Sequence, residues 1–157
     1  MVIKGVTMED FSNYKKPSMF IAFPCCDFKC DKEYGVQVCQ NGALAKAPNL
    51  DIDVDIIVKK YLDNPITKAV VCGGLETLDS WLDLLLFIKK FREKSQDDLV
   101  IYTGYNKEEI TDKINILKQF PNIIVKFGRY IPNQEKHYDK VLGIELASPN
   151  QYAERIS

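Results

Sequence analysis

Apolar and polar positions along the chain follow two periods, and the places where one gives way to the other outline its elements. "SMFIAF" (18–23) is an apolar run stopped by Pro24, which predicts a buried strand opening into a loop at its C-terminal end. "DIDVDIIVKKYLDN" (51–64) carries acidic residues first and lysines later, the order that complements a helix dipole. "KAVVCGG" (68–74) reads as a short β-branched strand ended by two glycines. In the helix predicted next, over "TLDSWLDLLLFIKKFREK", Leu78, Trp81, Leu82 and Leu85 supply the apolar stripe. "DLVIYTG" (98–104) is another strand, and Asn106 with Glu109 forms an N-cap signature for a helix running to about Gln119. "NIIVKFG" (122–128) is a further strand; the tail from Arg129 reads as irregular, with one last strand around "KVLGIELA".

Strands alternating with helices imply parallel β-α units joined by right-handed crossovers. The predicted class is therefore α/β, a single domain over residues 1–157. The units are too few for a closed eight-stranded barrel but enough for an open, partial β/α barrel of parallel strands. Ligands of such sheets bind at the carboxyl ends of the strands. Three notable stretches fall there: the loop after Pro24, "GGLE" after the second predicted strand, and "YTGY" after the third.

Composition narrows the function classes. Hydrophobic residues at 46%, charged residues at 27% and a formal net charge of -1 are ordinary for a soluble globular protein and give no electrostatic reason to expect nucleic acid. The start, "MVIKGVTMEDFSNYKK", has the character of neither a secretory signal nor a transit peptide, and no apolar run approaches the ~18 residues of a membrane span. The expectation is a cytoplasmic protein without a membrane partner. Thiols stay reduced in that compartment, so an odd set of clustered cysteines points to metal binding or catalysis before disulfides.

Four of the five cysteines, Cys25, Cys26, Cys30 and Cys39, crowd into "FPCCDFKCDKEYGVQVCQN" (23–41). Thiolates close together on a loop can hold zinc or an iron-sulfur cluster. Zinc sites usually draw four ligands from C-x2-C pairs; none occurs here, and the one histidine, His137, is remote in sequence. Free cysteines are also often simply buried, yet Asp27, Lys29, Asp31, Lys32 and Glu33 are poor company for core residues. In "CGGLETLD" the glycines permit close approach of a ligand to the backbone, the helix start offers free N–H groups to a carboxylate, and Glu76 can receive an ammonium group. The plain alternative is a tight turn into a capped helix.

Taken together and in order, "CDFKC", "VCQNGAL", "GGLETLD", "YTGY", "VKFGRYI" and the terminal "LASPNQYAERI" resemble the radical S-adenosylmethionine (SAM) superfamily, and within it the activating proteins of anaerobic ribonucleoside-triphosphate reductase. The likeness spans nearly the whole chain. It departs from the family in two places. The family spacing C-x3-C-x2-C would put the third cysteine at position 33, which is Glu33; the nearest repair, C-x3-C-x8-C, uses Cys26, Cys30 and Cys39 with a six-residue insertion, and Cys39-Gln40-Asn41 keeps the family flank. "GGLE" replaces "GGEP" or "GGDP", so the acidic residue falls one place later and Thr77 stands for the proline.

The resemblance implies a 4Fe-4S cluster on Cys26, Cys30 and Cys39, with one iron left open to SAM, whose reductive cleavage gives methionine and a 5'-deoxyadenosyl radical. It implies cofactor contacts at Gly73, Gly74 and Glu76, and a hydrogen bond from Thr103, whose alternative role is a turn hydroxyl serving its own backbone. Phe28 would pack near adenine or else merely cover the core. Cys25 is the spare thiol, Cys72 a strand core residue, and Asn150 and Gln151 match the family's terminal "NQ" without an assigned role. A sheet end left open suits a macromolecular substrate, and the resemblance names a glycyl-radical enzyme, the anaerobic ribonucleotide reductase, with flavodoxin or ferredoxin as electron donor. His137 is either on that partner face or a solvated loop residue. Two other readings stand beside this one: a radical SAM enzyme acting on another peptide or a small molecule, and a noncatalytic iron-sulfur or zinc module.

Overall fold

The computed structural model describes residues 1–157. Two strands that the sequence pattern does not predict, β1 (Val2–Ile3) and β2 (Gly5–Asp10), precede β3 (Ser18–Phe23). The cysteine loop comes next and contains two short helices, α1 (Lys29–Tyr34) and α2 (Gly42–Lys46). After it lie β4 (Leu50–Asp51), α3 (Val54–Asp63), β5 (Ala69–Gly74), α4 (Trp81–Arg92), β6 (Asp98–Tyr102), α5 (Thr111–Leu117) and β7 (Ile123–Phe127). The tail forms a hairpin of β8 (His137–Asp139) and β9 (Ile144–Leu146), then β10 (Tyr152–Arg155). No helix is long and apolar enough to cross a membrane.

The fold is α/β, built on a six-stranded mixed sheet of order β10-β7-β6-β5-β3-β2. Its four central strands, β3, β5, β6 and β7, are parallel and lie in chain order. The edges correct the expectation of an all-parallel sheet: β2 and β10 run antiparallel to their neighbours. The link from Phe11 to Pro17 is too short for a crossover, so β2 and β3 can pair only as a hairpin. At the other edge the chain folds up its tail at the end where β7 finishes, and re-enters the sheet from that end running backwards. The final strand expected around "KVLGIELA" is β9, which pairs with β8 outside the main sheet.

Alternation along the strands sorts side chains to two faces. Met19, Ile21, Val70, Cys72, Leu99, Ile101, Ile123 and Val125 pack with the buried residues of α3, α4 and α5 in one core. The opposite face, Ala69, Val71, Val100 and Ile124, carries no helix and is covered by Tyr14, Leu142 and Leu146. Strands in chain order with every crossover on one side leave the second face free, and its upper end holds the site.

Two helices begin later than their sequence pattern suggests. A 3-10 turn over Thr77–Ser80 precedes α4, and another over Lys107–Ile110 precedes α5. At about three residues per turn, the first of these rotates the phase of α4. Leu84, Phe87, Ile88 and Phe91 therefore form the buried stripe of α4, while Leu82 is 81% exposed, Trp81 and Leu85 are half-buried, and Leu78 is buried within the turn itself. The capping signals survive: Glu109 Oε2 accepts the Asn106 N–H at 2.7 Å, and the Asp53 side chain accepts the Asp55 N–H at 2.9 Å.

Asp98, buried at the start of β6, ties distant segments together far from the strand ends that hold the site. It accepts hydrogen bonds from Tyr14 Oη at 2.9 Å, Lys16 Nζ at 2.5 Å and Arg155 Nη2 at 2.8 Å. Burial alone would raise its pKa, but the bonds from Lys16, Arg155 and Tyr14 outweigh burial and hold it at about 2, against 3.8 when unpaired. A depressed folded-state pKa gives stability that is present above the unfolded value and lost as pH falls from about 4 to about 2. Asp98→Asn is expected to cost on the order of 2 kcal/mol at pH 7 and much less at pH 2. Urea denaturation at the two pH values checks this; an equal loss at both would remove the ion-pair explanation.

Candidate functional site

At the carboxyl ends of the parallel strands, on the face without helices, lies a cavity of about 390 Å³. The cysteine loop forms one wall, and Ile144 to Ala147 of the tail hairpin form another. Cys26, Cys30 and Cys39 all line it. Cys25 does not and is exposed; Cys72 lies fully buried in the helix-side core. The tertiary fold thus separates the five thiols into the three the resemblance selects and the two it does not.

Local backbone geometry holds two of the three sulfurs. Phe28 sits in the left-handed region at φ 55°, a costly conformation for a bulky residue, and turns its N–H to Cys26 Sγ at 3.2 Å. The Asn41 N–H donates to Cys39 Sγ at 3.4 Å. Cys30, in the first turn of α1, lines the cavity together with Tyr130 of the tail. Burial pushes the Cys26 thiol up to about 11; the Phe28 N–H opposes this, while Glu76, Asp79 and Cys39 add to it. Burial also raises Cys30, against the Tyr130 N–H, and Cys39 and Glu33 push the same way while Arg129 opposes. Thiols in such surroundings ionise when a cation joins them, since ligation expels the proton. No group of three or more His, Cys, Asp or Glu side chains in the chain is gathered to hold a single metal ion.

Glu33, where the family spacing would place the third cysteine, does not line the cavity. Its side chain is 53% exposed and pairs with Arg129 Nε at 3.3 Å. The other side of the Arg129 guanidinium holds Glu109, at 2.7 Å. The inserted residues turn through Gly35, at φ 67°, and return so that the Val38 and Cys39 N–H groups both meet Asp31 Oδ1 at 2.8 Å.

Gly73 and Gly74 have different roles. Gly73 does not line the cavity; a Cβ there would come within 2.9 Å of the Phe20 ring. Gly74 does line it, at φ 91°, wedged between Ala22 and Leu44, and its carbonyl accepts Asn41 Nδ2 at 2.6 Å. Glu76 is buried beside it and serves the backbone on both sides: Oε1 accepts the Leu78 N–H at 3.0 Å and Oε2 the Gly104 N–H at 2.8 Å. Burial raises its pKa, opposed by those two N–H groups and the Thr103 hydroxyl. Thr103 lines the cavity while its hydroxyl accepts the Tyr105 N–H at 3.0 Å, so it fills the turn role. Phe28 is half-buried and outside the cavity lining.

The terminal "NQ" acquires a physical role. Asn150 Nδ2 donates to the Arg129 carbonyl at 2.8 Å, and Gln151, buried in the cavity wall, bridges the Ala147 N–H at 3.1 Å and the Gly128 carbonyl at 3.4 Å. Together they close the tail over the end of β7. His137 is half-buried in β8, its Nδ1 shielded and without a partner, and it lies outside the cavity lining.

Sequence reasoning missed Lys126. It is only 7% exposed, faces the cavity from β7, and makes one hydrogen bond, from Nζ to the Gly128 carbonyl at 2.9 Å. Burial lowers its pKa to about 8, with Glu76 and Cys30 opposing the shift. A lysine inside the apolar run "NIIVKF" was the available signal, since a buried ammonium needs a partner or a purpose. The cavity therefore presents a buried cation and a buried carboxylate along with the three thiols. No family model, curated protein or solved structure matches the chain.

Proposed function

We propose that this chain is an iron-sulfur radical SAM enzyme, in which Cys26, Cys30 and Cys39 hold a 4Fe-4S cluster and SAM occupies the adjoining cavity. The observation that carries the reading is the sorting of the thiols: three cysteines line one cavity, two of them accepting a backbone N–H, while Cys25 and Cys72 stay outside. A cubane binds each cysteine through a different iron, so its sulfurs stand around a space instead of converging on a point. Amide hydrogen bonds to the Cys26 and Cys39 sulfurs fit a donor set for such a group.

When bound, the cluster and SAM supply the one-electron cleavage of the sulfonium that gives methionine and the 5'-deoxyadenosyl radical. The chain's own residues bind and orient. Lys126 faces the space where the SAM carboxylate would lie, Glu76 and the Gly74 backbone border the same space, and the tail hairpin forms one of its walls. Parallel strands in chain order with helices on one side support an open, radical SAM-like partial β/α barrel. The proposed substrate is a glycyl-radical enzyme of the anaerobic ribonucleotide reductase type, from whose backbone glycine a hydrogen is abstracted, with flavodoxin or ferredoxin as donor.

Anaerobic reconstitution with iron and sulfide, then reduction with SAM present, tests the reading. The expected result is 5'-deoxyadenosine, with Cys26→Ala, Cys30→Ala and Cys39→Ala each lowering its formation by roughly 100-fold or more, and Cys25→Ala and Cys72→Ala leaving it within a few-fold. A loaded cluster that forms no 5'-deoxyadenosine would leave a noncatalytic iron-sulfur module instead. SAM cleavage without a glycyl radical on a co-expressed reductase would move the substrate to another peptide or a small molecule.

A further inference from the structure

The segment from Cys30 to Cys39 poses a physical problem that the shorter family spacing does not. Residues 32–37 are all exposed, and α1 buries none of its residues. No apolar packing therefore fixes where Cys39 lies relative to Cys30. A loop so solvated samples many conformations, and holding its end against a cavity wall requires specific bonds.

Those bonds come from one side chain. Asp31, next to Cys30 on α1, accepts the Val38 and Cys39 N–H groups on the same oxygen, each at 2.8 Å. Donors on consecutive residues fix the orientation of the peptide between them, and with it the direction of the Cys39 Cα–Cβ bond. Hydrogen bonds to a carboxylate are among the stronger ones available to a backbone. Beyond Cys39 the chain is anchored separately: Asn41 Nδ2 donates to the Gly74 carbonyl at 2.6 Å, and Lys4 Nζ donates to the Ala45 and Ala47 carbonyls at 3.0 and 2.5 Å. The remaining side-chain link across the insertion, Glu33 to Arg129, is a surface ion pair, a class that adds little rigidity.

We propose that Asp31 is the positioning residue that carries Cys39 into the cavity beside Cys26 and Cys30, making the long spacing equivalent to a short one. That Cys39 then serves as the third cluster sulfur rests on the function proposed above; the positioning itself does not. Asp31 touches the Cys39 backbone and not the cluster, so its effect is on where a sulfur sits.

Alkylation of the reduced, metal-free chain by iodoacetamide, followed cysteine by cysteine by mass spectrometry, tests the positioning directly, with exposed Cys25 as internal reference. Asp31→Ala is expected to raise the Cys39 rate by about tenfold while Cys30 changes little, because losing both bonds lets the loop open. Asp31→Asn, which keeps an oxygen acceptor at the same place, is expected to stay close to wild type, and Glu33→Ala likewise. The insertion lies outside both cores, so the thermal midpoint should hardly move. In parallel, iron bound after reconstitution should fall in Asp31→Ala toward the Cys39→Ala level and recover in Asp31→Asn. Unchanged Cys39 alkylation in Asp31→Ala overturns the proposal, whatever the iron content. Faster alkylation together with a wild-type chain that takes up no iron upholds the positioning and overturns the cluster reading.

Discussion

Replacing Lys126 by methionine is expected to stabilise the ligand-free protein at pH 7 by up to roughly 3 kcal/mol, the cost of holding its folded-state pKa near 8 instead of 10.5. The ammonium is buried and has one hydrogen bond, to the Gly128 carbonyl. That carbonyl keeps Gln151 Nε2 as a second donor when the lysine is gone, and methionine fills a similar volume without a charge to desolvate. The sign comes from proton binding. Between pH 8 and 10.5 the unfolded chain still holds the lysine proton and the folded chain has released it, so this residue makes stability rise with pH across that window. Below pH 8 its penalty is fully present. The cysteines and tyrosines also titrate as pH rises, so the quantity to measure is the difference between wild type and variant by urea denaturation at pH 7 and pH 10. That difference should shrink toward zero at the higher pH. A destabilised variant at pH 7 would show that the ammonium is well solvated in the cavity. On the proposed function the same substitution weakens SAM binding, because the carboxylate loses its cation, and equilibrium dialysis reads that directly. A residue costly to the empty protein and useful to the occupied one is what a binding site looks like energetically.

The second large effect is expected at Gly128. Its φ is 96°, and a Cβ there would stand 2.6 Å from the Asn150 carbonyl oxygen and 3.2 Å from Gln151 Cα. Both obstacles are backbone, so no side-chain rotation relieves them. Gly128→Ala should cost roughly 3 to 4 kcal/mol, the left-handed penalty plus displacement of the returning tail, and lower the thermal midpoint by about 10 °C. The displaced segment includes Gln151, which bridges Ala147 and Gly128, so the hairpin wall of the cavity moves with it. Gly35→Ala is the control: its φ is 67°, but a Cβ would meet nothing within 4 Å, so only the conformational cost of about 1 kcal/mol applies. Similar losses at the two positions in thermal melts would mean that the close approach of Asn150 is not what requires glycine at 128.

Much of the scaffold was legible locally. Apolar runs ended by Pro24, Gly73–Gly74, Thr103–Gly104 and Gly128 marked the four parallel strands, and charge order and capping residues marked the helices between them. The stripe of α4 was misphased because a 3-10 turn cannot be distinguished from a first α-turn by periodicity alone. β1, β2 and β10 went unseen for a similar reason. These strands bury few of their residues and alternate weakly, so their pairing depends on the neighbour they meet.

The candidate site was legible in its parts and not in its assembly. Residue type and position singled out a cysteine loop, two glycines with Glu76, and the "YTGY" stretch, all at strand ends where a β/α sheet binds ligands, and the resemblance added Thr103. Gly73 was credited with a ligand role, yet its missing side chain makes room for Phe20. Whether Glu33 or Cys39 faces the cavity could not be read from spacing, because Arg129 draws Glu33 outward and Asp31 folds Cys39 inward.

Period, punctuation and composition by themselves determined an α/β chain with its reactive residues gathered at one end of the strands, since those signals depend on neighbours a few positions apart. Only the tertiary structure decided which three of five thiols share a cavity, which edges run backwards, and that Lys126 enters the same space. The shared cavity depends on residues as much as a hundred positions apart, as Tyr130 and Cys30 in its lining are, and such neighbours meet only after the chain has closed on itself.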